Sequence, residues 1–310
     1  MPSCNRPLSN RYLTCLAAAV IDGCVEAVLT KFAPVKLNLF LEVMGKRSDG
    51  YHEIDTIMET VAVGDLVSVT PCDGLLVSSN RTDVPENEDN TCFKIIRAAE
   101  RKLGRSLPAR VLITKVIPPG TGLGAGSSDA VAALELVLAL HGVQLDANER
   151  RSIASEVGSD VPFFVTGGVA RCTGRGDVVT PVPSRGARHY VLVLSGAPCP
   201  TADVYNAHTP QPRTPAGARP WIDALNSGMP TPPPLNHLEA AALTAFPWLA
   251  EVRSRLREVT GRDPVLSGSG STWWFPCASY AEASELESRL IAGDPQLMTF
   301  RTASYSGERG

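Results

Sequence analysis

Residues 118–128 read PPGTGLGAGSS and run directly into DAVAALELVLALHG, whose apolar residues recur at helical spacing. Glycine lets backbone N–H groups crowd around an anion, and the first turn of a helix adds unpaired donors and a partial positive charge. Ser127 and Ser128 stand where the helix should begin, so each can cap it or offer a hydroxyl to a phosphate. The element predicts a phosphate-handling loop. A dinucleotide site and a purely structural turn are the local alternatives.

Two familiar glycine loops fit poorly. A P-loop needs lysine immediately before its Ser/Thr, and here Gly126 precedes Ser127. The dinucleotide fingerprint is met loosely by Gly120, Gly122 and Ala125, and Asp146 lies at about the right distance (roughly 20 residues) for a ribose carboxylate. That fold requires a strand after the helix, however. The chain instead continues VQLDANERRSIASEVG, a loop and a second helix.

Composition sets the outer bounds. With 310 residues, 44% hydrophobic and 20% charged, the chain can bury one large or two medium cores. A net charge of −3 argues against a nucleic-acid surface, and no stretch approaches the roughly 20 apolar residues of a membrane span. The eight cysteines are scattered without a CxxC pair and read as reduced thiols of a cytoplasmic protein. The five histidines are equally dispersed, so no protein-held metal site is expected.

Residues 1–27 differ from the rest: two arginines and a short apolar run, Tyr12 to Val20, that Asp22 interrupts. They read as an extension outside the core, with a secretory or organellar targeting segment as the alternatives.

Beyond Val25, KFAPVKLNLFLEVMG alternates as a strand. Val35, Leu37, Leu39, Leu41 and Val43 form one face, and Lys36, Asn38, Phe40 and Glu42 the other. Lys36 and Asn38 therefore share a face and can reach one ligand, or simply face water. KRSDGYHEIDT places an Asp49-Gly50 turn ahead of Tyr51 and His52. TIMETVAVGDLVSVTP and residues 110–117 read as further strands, and TCFKIIRAAERKLG as a helix ended by Gly104. In VGSDVPFFVTGG, Asp160 reads either as an exposed functional carboxylate or as an N-cap ahead of Pro162. VLSGSGSTWWF joins two apolar segments through a flexible turn, and the proline-dense 206–235 stretch reads as an irregular surface excursion.

In order, APVKLNLFLEV, RSDGYHEIDT, KVIPPGTGLGAGSSDA, GSDVPFF and LSGSGST closely resemble the GHMP kinases over residues 28–308. The DGYH and DVPFF segments resemble the member whose acceptor is a CDP-linked methylerythritol of the non-mevalonate isoprenoid route. The resemblance implies an α+β, two-domain GHMP kinase fold. Its N-terminal, ribosomal-protein-S5-domain-2-like ATP-binding domain would span 28–184 and its ferredoxin-like C-terminal domain 185–310, with the site in the cleft between them.

The same resemblance implies roles for individual residues. Lys36 and Asp160 would be catalytic, the aspartate as general base and the lysine beside it. ATP would lie on Pro118, Pro119, Gly120, Thr121, Gly122, Leu123, Gly124, Ala125, Gly126, Ser127 and Ser128, with Lys115 near the nucleotide. Asn38, Tyr51, His52, Thr201 and Tyr205 would hold the acceptor, the aromatics stacking on its cytosine. Mg2+ would accompany ATP, held mainly by phosphates and water. The protein would act as a monomer or homodimer, with no nucleic-acid or membrane partner.

Some positions depart from the pattern. Thr121 and Ala125 stand where relatives often have glycine, so the backbone at Ala125 should be right-handed. His237 replaces a common aspartate and is expected to be structural, and Trp273-Trp274 imply altered core packing. A mevalonate- or homoserine-type kinase, a non-catalytic nucleotide-binding relative and a dinucleotide-dependent oxidoreductase are the competing readings.

Overall fold

The computed structural model describes the backbone of residues 17–21 and 24–306 and the side chains of residues 28–306. The targeting reading of residues 1–27 falls largely outside them. Ala17–Ile21 (β1) nonetheless pairs antiparallel with the start of Cys24–Lys46 (β2), so this part of the extension joins the sheet.

The chain continues through His52–Thr70 (β3), Leu75–Ser79 (β4), Thr91–Leu103 (α1), Ala109–Thr114 (β5) and Ala125–Leu140 (α2). Ala147–Ser155 (α3), Val161–Thr166 (α4), Val169–Gly174 (β6) and Val178–Pro181 (β7) follow. The second half holds His189–Leu194 (β8), Thr201–Ala207 (α5), Arg219–Ser227 (α6), Leu235–Asn236 (β9), Leu238–Ala245 (α7) and Trp248–Thr260 (α8). It ends with Val265–Leu266 (β10), Trp273–Cys277 (β11), Tyr280–Gly293 (α9) and Met298–Ala303 (β12).

Two sheets result. The larger runs β1-β2-β3-β5-β4, with β6 and β7 added beside β3 and β9 beside β2. The smaller is β10-β11-β8-β12, antiparallel throughout. Its strands alternate in the manner of a sheet covered on both faces. Tyr190, Leu192 and Trp274 pack with Val35, Leu37 and Leu39 of the larger sheet, while Val191, Val193, Trp273 and Phe275 pack with Leu249, Leu256, Leu286 and Leu290 of the helices. The two tryptophans thus fill opposite layers, and both are buried.

α2 is apolar nearly all round, and its residues 130–134 and 136–138 are buried against β3, β5 and α1. This central helix fixes where the glycine loop opens. β2 is buried on both faces as well, contrary to a strand with one face in water, because α2 and the second half cover its two sides. A register shift between Asn38 and Phe40 also interrupts the simple alternation.

The proline-dense stretch is more ordered than its composition implies. It forms α6, whose Trp221 is buried, and then β9, which pairs parallel with Phe40–Leu41 of β2. Asp146 caps α3 in a reciprocal capping box with Glu149, and α3 follows α2 without an intervening strand. The dinucleotide reading fails on that topology. Cys72, Cys92, Cys172, Cys199 and Cys277 are free, and among the described residues no helix is long and apolar enough to cross a membrane.

Candidate active site

The glycine loop follows β5 and leads into α2. Gly120, Gly122 and Gly124 all have positive φ, and Ala125 begins the right-handed helix, as its side chain demands. Neither serine caps α2. The N-cap is Gly124, in a left-handed conformation and without a side-chain bond, and Ser127 and Ser128 lie within the first turn. Close packing explains the glycine at position 122, where a Cβ would stand 2.2 Å from the Ser267 carbonyl oxygen. The SGSGST segment is therefore a buried tight turn wedged against the loop, with Ser267, Ser271 and Thr272 fully enclosed. Thr272 N–H donates to the Thr121 carbonyl (3.2 Å) and Ser267 Oγ to that of Gly122 (3.1 Å).

β2 brings Lys36 beneath this loop. Its backbone N–H donates to the Leu123 carbonyl (2.9 Å), and its Nζ donates to Gly122 O (2.8 Å) and Asn38 Oδ1 (2.7 Å). Asn38 is oriented in turn by Thr56, whose hydroxyl accepts from Nδ2 (3.0 Å) and donates to Phe40 O. Lys36 is only 4% exposed. Burial lowers its pKa, and Asp160, with its Oδ2 3.7 Å from Nζ, opposes that shift.

Asp160 occupies the N-cap position of α4 but makes no side-chain capping bond. Its carboxylate is 37% exposed and faces a cavity of about 560 Å³. The capping alternative is thereby removed, since no backbone N–H of α4 is bonded by this carboxylate.

The cavity gathers most of the predicted residues. Its lining includes Lys36, Asn38, Asp160, Tyr51, His52, Thr201, Tyr205, residues 118–122 and residues 124–127. Leu123 and Ser128 lie behind it, Leu123 in the core. In the same cavity, the His52 and Tyr205 rings stack with centroids 4.9 Å apart and planes 26° apart. Tyr205 sits on α5. Burial lowers the pKa of His52 and raises that of Tyr205, so both are neutral at pH 7. Thr201 Oγ1 lies 3.0 Å from Ser269 Oγ, joining α5 to the buried turn.

Lys115 is not on the cavity wall. Its ammonium is enclosed between Asp65 (2.5 Å) and Asp129 (2.8 Å), and Asp65 also accepts the N–H groups of Val116 and Ile117. The lysine ties the end of β5 to the first turn of α2 from below. Burial raises the Asp129 pKa to about 7 despite Lys115, with Asp65 adding repulsion. His237 is structural, as expected: it is buried, and its Nδ1 accepts from Val43 N–H (3.3 Å).

The sequence reading missed Thr91, Gly268, Ser269 and Arg175 on the cavity wall. Thr91 Oγ1 donates to Gly126 O (2.7 Å), bracing the loop from α1. Arg175 had a visible signal, a lone cation between two glycines in TGRGD.

A glycine-rich loop opening a helix over a buried lysine, with a carboxylate and aromatic side chains lining the same cavity, is the arrangement of a small-molecule phosphotransferase of the GHMP type. Residues 90–168 match the family model described as GHMP kinases N terminal domain. Over 285 residues the chain is 31% identical to 4-diphosphocytidyl-2-C-methyl-D-erythritol kinase of Pelotomaculum thermopropionicum, covering 89% of this chain and 98% of that protein. It is 36% identical to the enzyme of the same name from Rhodococcus jostii, covering 88% and 91%. A crystal structure of 4-(cytidine 5'-diphospho)-2C-methyl-D-erythritol kinase superposes with a TM-score of 0.74 at 30% identity, over 89% of this chain and all of that one. The chain belongs to the 4-diphosphocytidyl-2-C-methyl-D-erythritol kinase family.

Proposed function

We propose that this protein transfers the γ-phosphoryl group of ATP to the 2-hydroxyl of 4-diphosphocytidyl-2-C-methyl-D-erythritol, yielding the 2-phosphate and ADP for isoprenoid precursor synthesis. The observation that carries the reading is the Lys36–Asp160 pair, which stands between the glycine loop and the aromatic compartment.

Phosphoryl transfer asks a protein mainly for positioning and charge stabilisation. ATP's phosphates lie on residues 118–128 at the N-terminus of α2, where positive-φ glycines turn the backbone around them and the helix dipole favours their charge. Asp160 accepts the proton of the acceptor hydroxyl. Being uncapped and partly exposed, its carboxylate is free to meet that group. Lys36 orients Asp160 and offsets charge on the transferring group. Its bonds to Gly122 O and Asn38 hold the ammonium at the junction of the two compartments.

His52, Tyr205 and Tyr51 receive the cytosine by stacking and edge hydrogen bonds, while Thr201 and Asn38 provide polar contacts along the acceptor. Lys115 acts from behind, fixing the start of α2. The cavity lining offers one carboxylate, Asp160, and the Ser127 hydroxyl on the loop side, a donor set that suits Mg2+ carried on ATP phosphates and water. Bound in this way, the ion screens phosphate charge. The boundary between the ATP-binding part and the C-terminal part falls near residue 184, in the link from β7 to β8, and the cytoplasm is the compartment where ATP is at hand.

The test is ATP consumption with Mg2+ and 4-diphosphocytidyl-2-C-methyl-D-erythritol, comparing wild type with Asp160→Asn. Turnover in the wild type and a loss of about 10³-fold or more in the variant are expected. Equal turnover in both rejects Asp160 as the base. Bound ATP without turnover in the wild type rejects the acceptor.

A further inference from the structure

The turn between β6 and β7 carries Arg175 into the cavity wall. Among the described residues lining the cavity, Lys36 and Arg175 are the Lys and Arg side chains. Lys36 is committed at the transfer end by Asn38, Gly122 and Asp160. Arg175 stands apart from it. Its guanidinium carbon lies 4.8 Å from the centroid of the Tyr51 ring, at the aromatic end. The next residue, Gly176, packs so near the opposite end that a Cβ there would be 4.0 Å from Asp160 Oδ1. The turn thus bridges the interval between the aromatic compartment and the carboxylate.

Asp177 orients the guanidinium. Its Oδ2 accepts from Nη2 (3.0 Å) and Nε (3.4 Å), and its Oδ1 accepts the Arg175 backbone N–H (3.1 Å). Nη1 finds no acceptor among the described residues, and the side chain is 29% exposed, facing the open cavity.

We propose that Arg175 binds the diphosphate of the acceptor and so makes the site selective for a nucleoside-diphosphate-linked alcohol. The inference rests on the acceptor reading above. An acceptor with cytosine at one end and the reacting hydroxyl at the other must lay its diphosphate between Tyr51 and Asp160. Enclosing that charge is costly without a cation, and Lys36 is already engaged. A planar guanidinium with donors to spare matches phosphate oxygens better than an ammonium does. An alcohol acceptor without a diphosphate gains nothing from this residue.

Titration calorimetry of the full chain with CDP, and separately with cytidine, tests the assignment. Wild type is expected to bind CDP more tightly than cytidine. Arg175→Gln should weaken CDP about tenfold and leave cytidine unchanged, and Arg175→Lys should recover part of the loss. In turnover, Arg175→Gln should raise the acceptor KM about tenfold, with the ATP KM near wild type. Equal losses for CDP and cytidine mean that Arg175 only supports Tyr51, and no loss for CDP means that it does not touch phosphate; either overturns the proposal. A wild type that binds CDP and cytidine yet phosphorylates no such acceptor overturns the function of the preceding subsection instead, and the CDP titration then still decides the role of Arg175.

Discussion

A buried lysine is unfavourable on its own, and Lys36 is retained because three oxygens surround its ammonium. Replacing it with methionine keeps most of the volume but removes the charge beside Asp160. Lys36→Met should lower kcat about 10²- to 10³-fold with little change in fold, as initial-rate measurements and circular dichroism will show. The Asp65–Lys115–Asp129 cluster makes a different prediction, about stability. The folded-state pKa of Asp129 lies near 7, above its ordinary value. The folded protein therefore binds more protons than the unfolded chain between the ordinary carboxylate range and about pH 7. Stability is present in full below that window and falls as pH rises through it. Asp129→Asn imitates the protonated form, so its Tm relative to wild type should rise between pH 4 and pH 8. A Tm difference that stays constant across this range contradicts the assignment.

At the scale of single elements, the SGSGST segment, which reads as a flexible turn, is buried and closely packed. PPGTGLGAGSS and SGSGST press against each other, and at Gly122 a Cβ would meet the Ser267 and Gly270 carbonyl oxygens. Gly122→Ala combines a left-handed φ, which costs roughly 1–2 kcal/mol for alanine, with a Cβ 2.2 Å from Ser267 O. Gly142 is the control: it too has positive φ, but its Cβ would meet nothing within 4 Å. Gly122→Ala should abolish ATP binding and lower Tm markedly. Gly142→Ala should lose only about 1 kcal/mol and keep activity, as denaturant unfolding and ATP titration can establish. The β9 segment has the same lesson. Asn236 Nδ2 donates to Leu266 O (2.9 Å) and Gly268 O (2.8 Å), so the proline-dense excursion ends by steadying the buried turn beside Lys36.

Among the described residues, the two sheets meet through an apolar layer to which a buried charged contact is added. Glu59 of β3 is buried and accepts hydrogen bonds from Arg188 and from the Tyr190 hydroxyl (2.5 Å) of the smaller sheet. Removing the carboxylate leaves Arg188 half-enclosed without its partner. Glu59→Leu should therefore destabilise the protein by about 3 kcal/mol, read from urea unfolding, more than an exposed ion pair such as Arg219–Asp223 would contribute. Because the cavity draws Gly268, Ser269, Thr201 and Tyr205 from the second half, its walls depend on this junction.

The sequence by itself determined the elements with strong local chemistry. Glycines before an apolar helical run specified the loop and α2, alternation placed Lys36 and Asn38 on one face of a strand, and five ordered motifs carried the family resemblance. Tertiary structure decided what local pattern cannot encode. Whether Asp160 caps a helix or faces a cavity depends on which neighbours cover it, and whether Lys36 meets water depends on the loop and the second half folding over β2. Lys115 shows the limit most plainly: the family resemblance implies a place near the nucleotide, yet Asp65, distant in sequence, holds its ammonium in the interior. Arg175 reaches the aromatic part of the cavity for the same reason, since the pairing of β6 with β3 and β7 carries its turn to Tyr51. Burial and ion pairing are set by residues far apart in the chain, and only the folded contacts fix them.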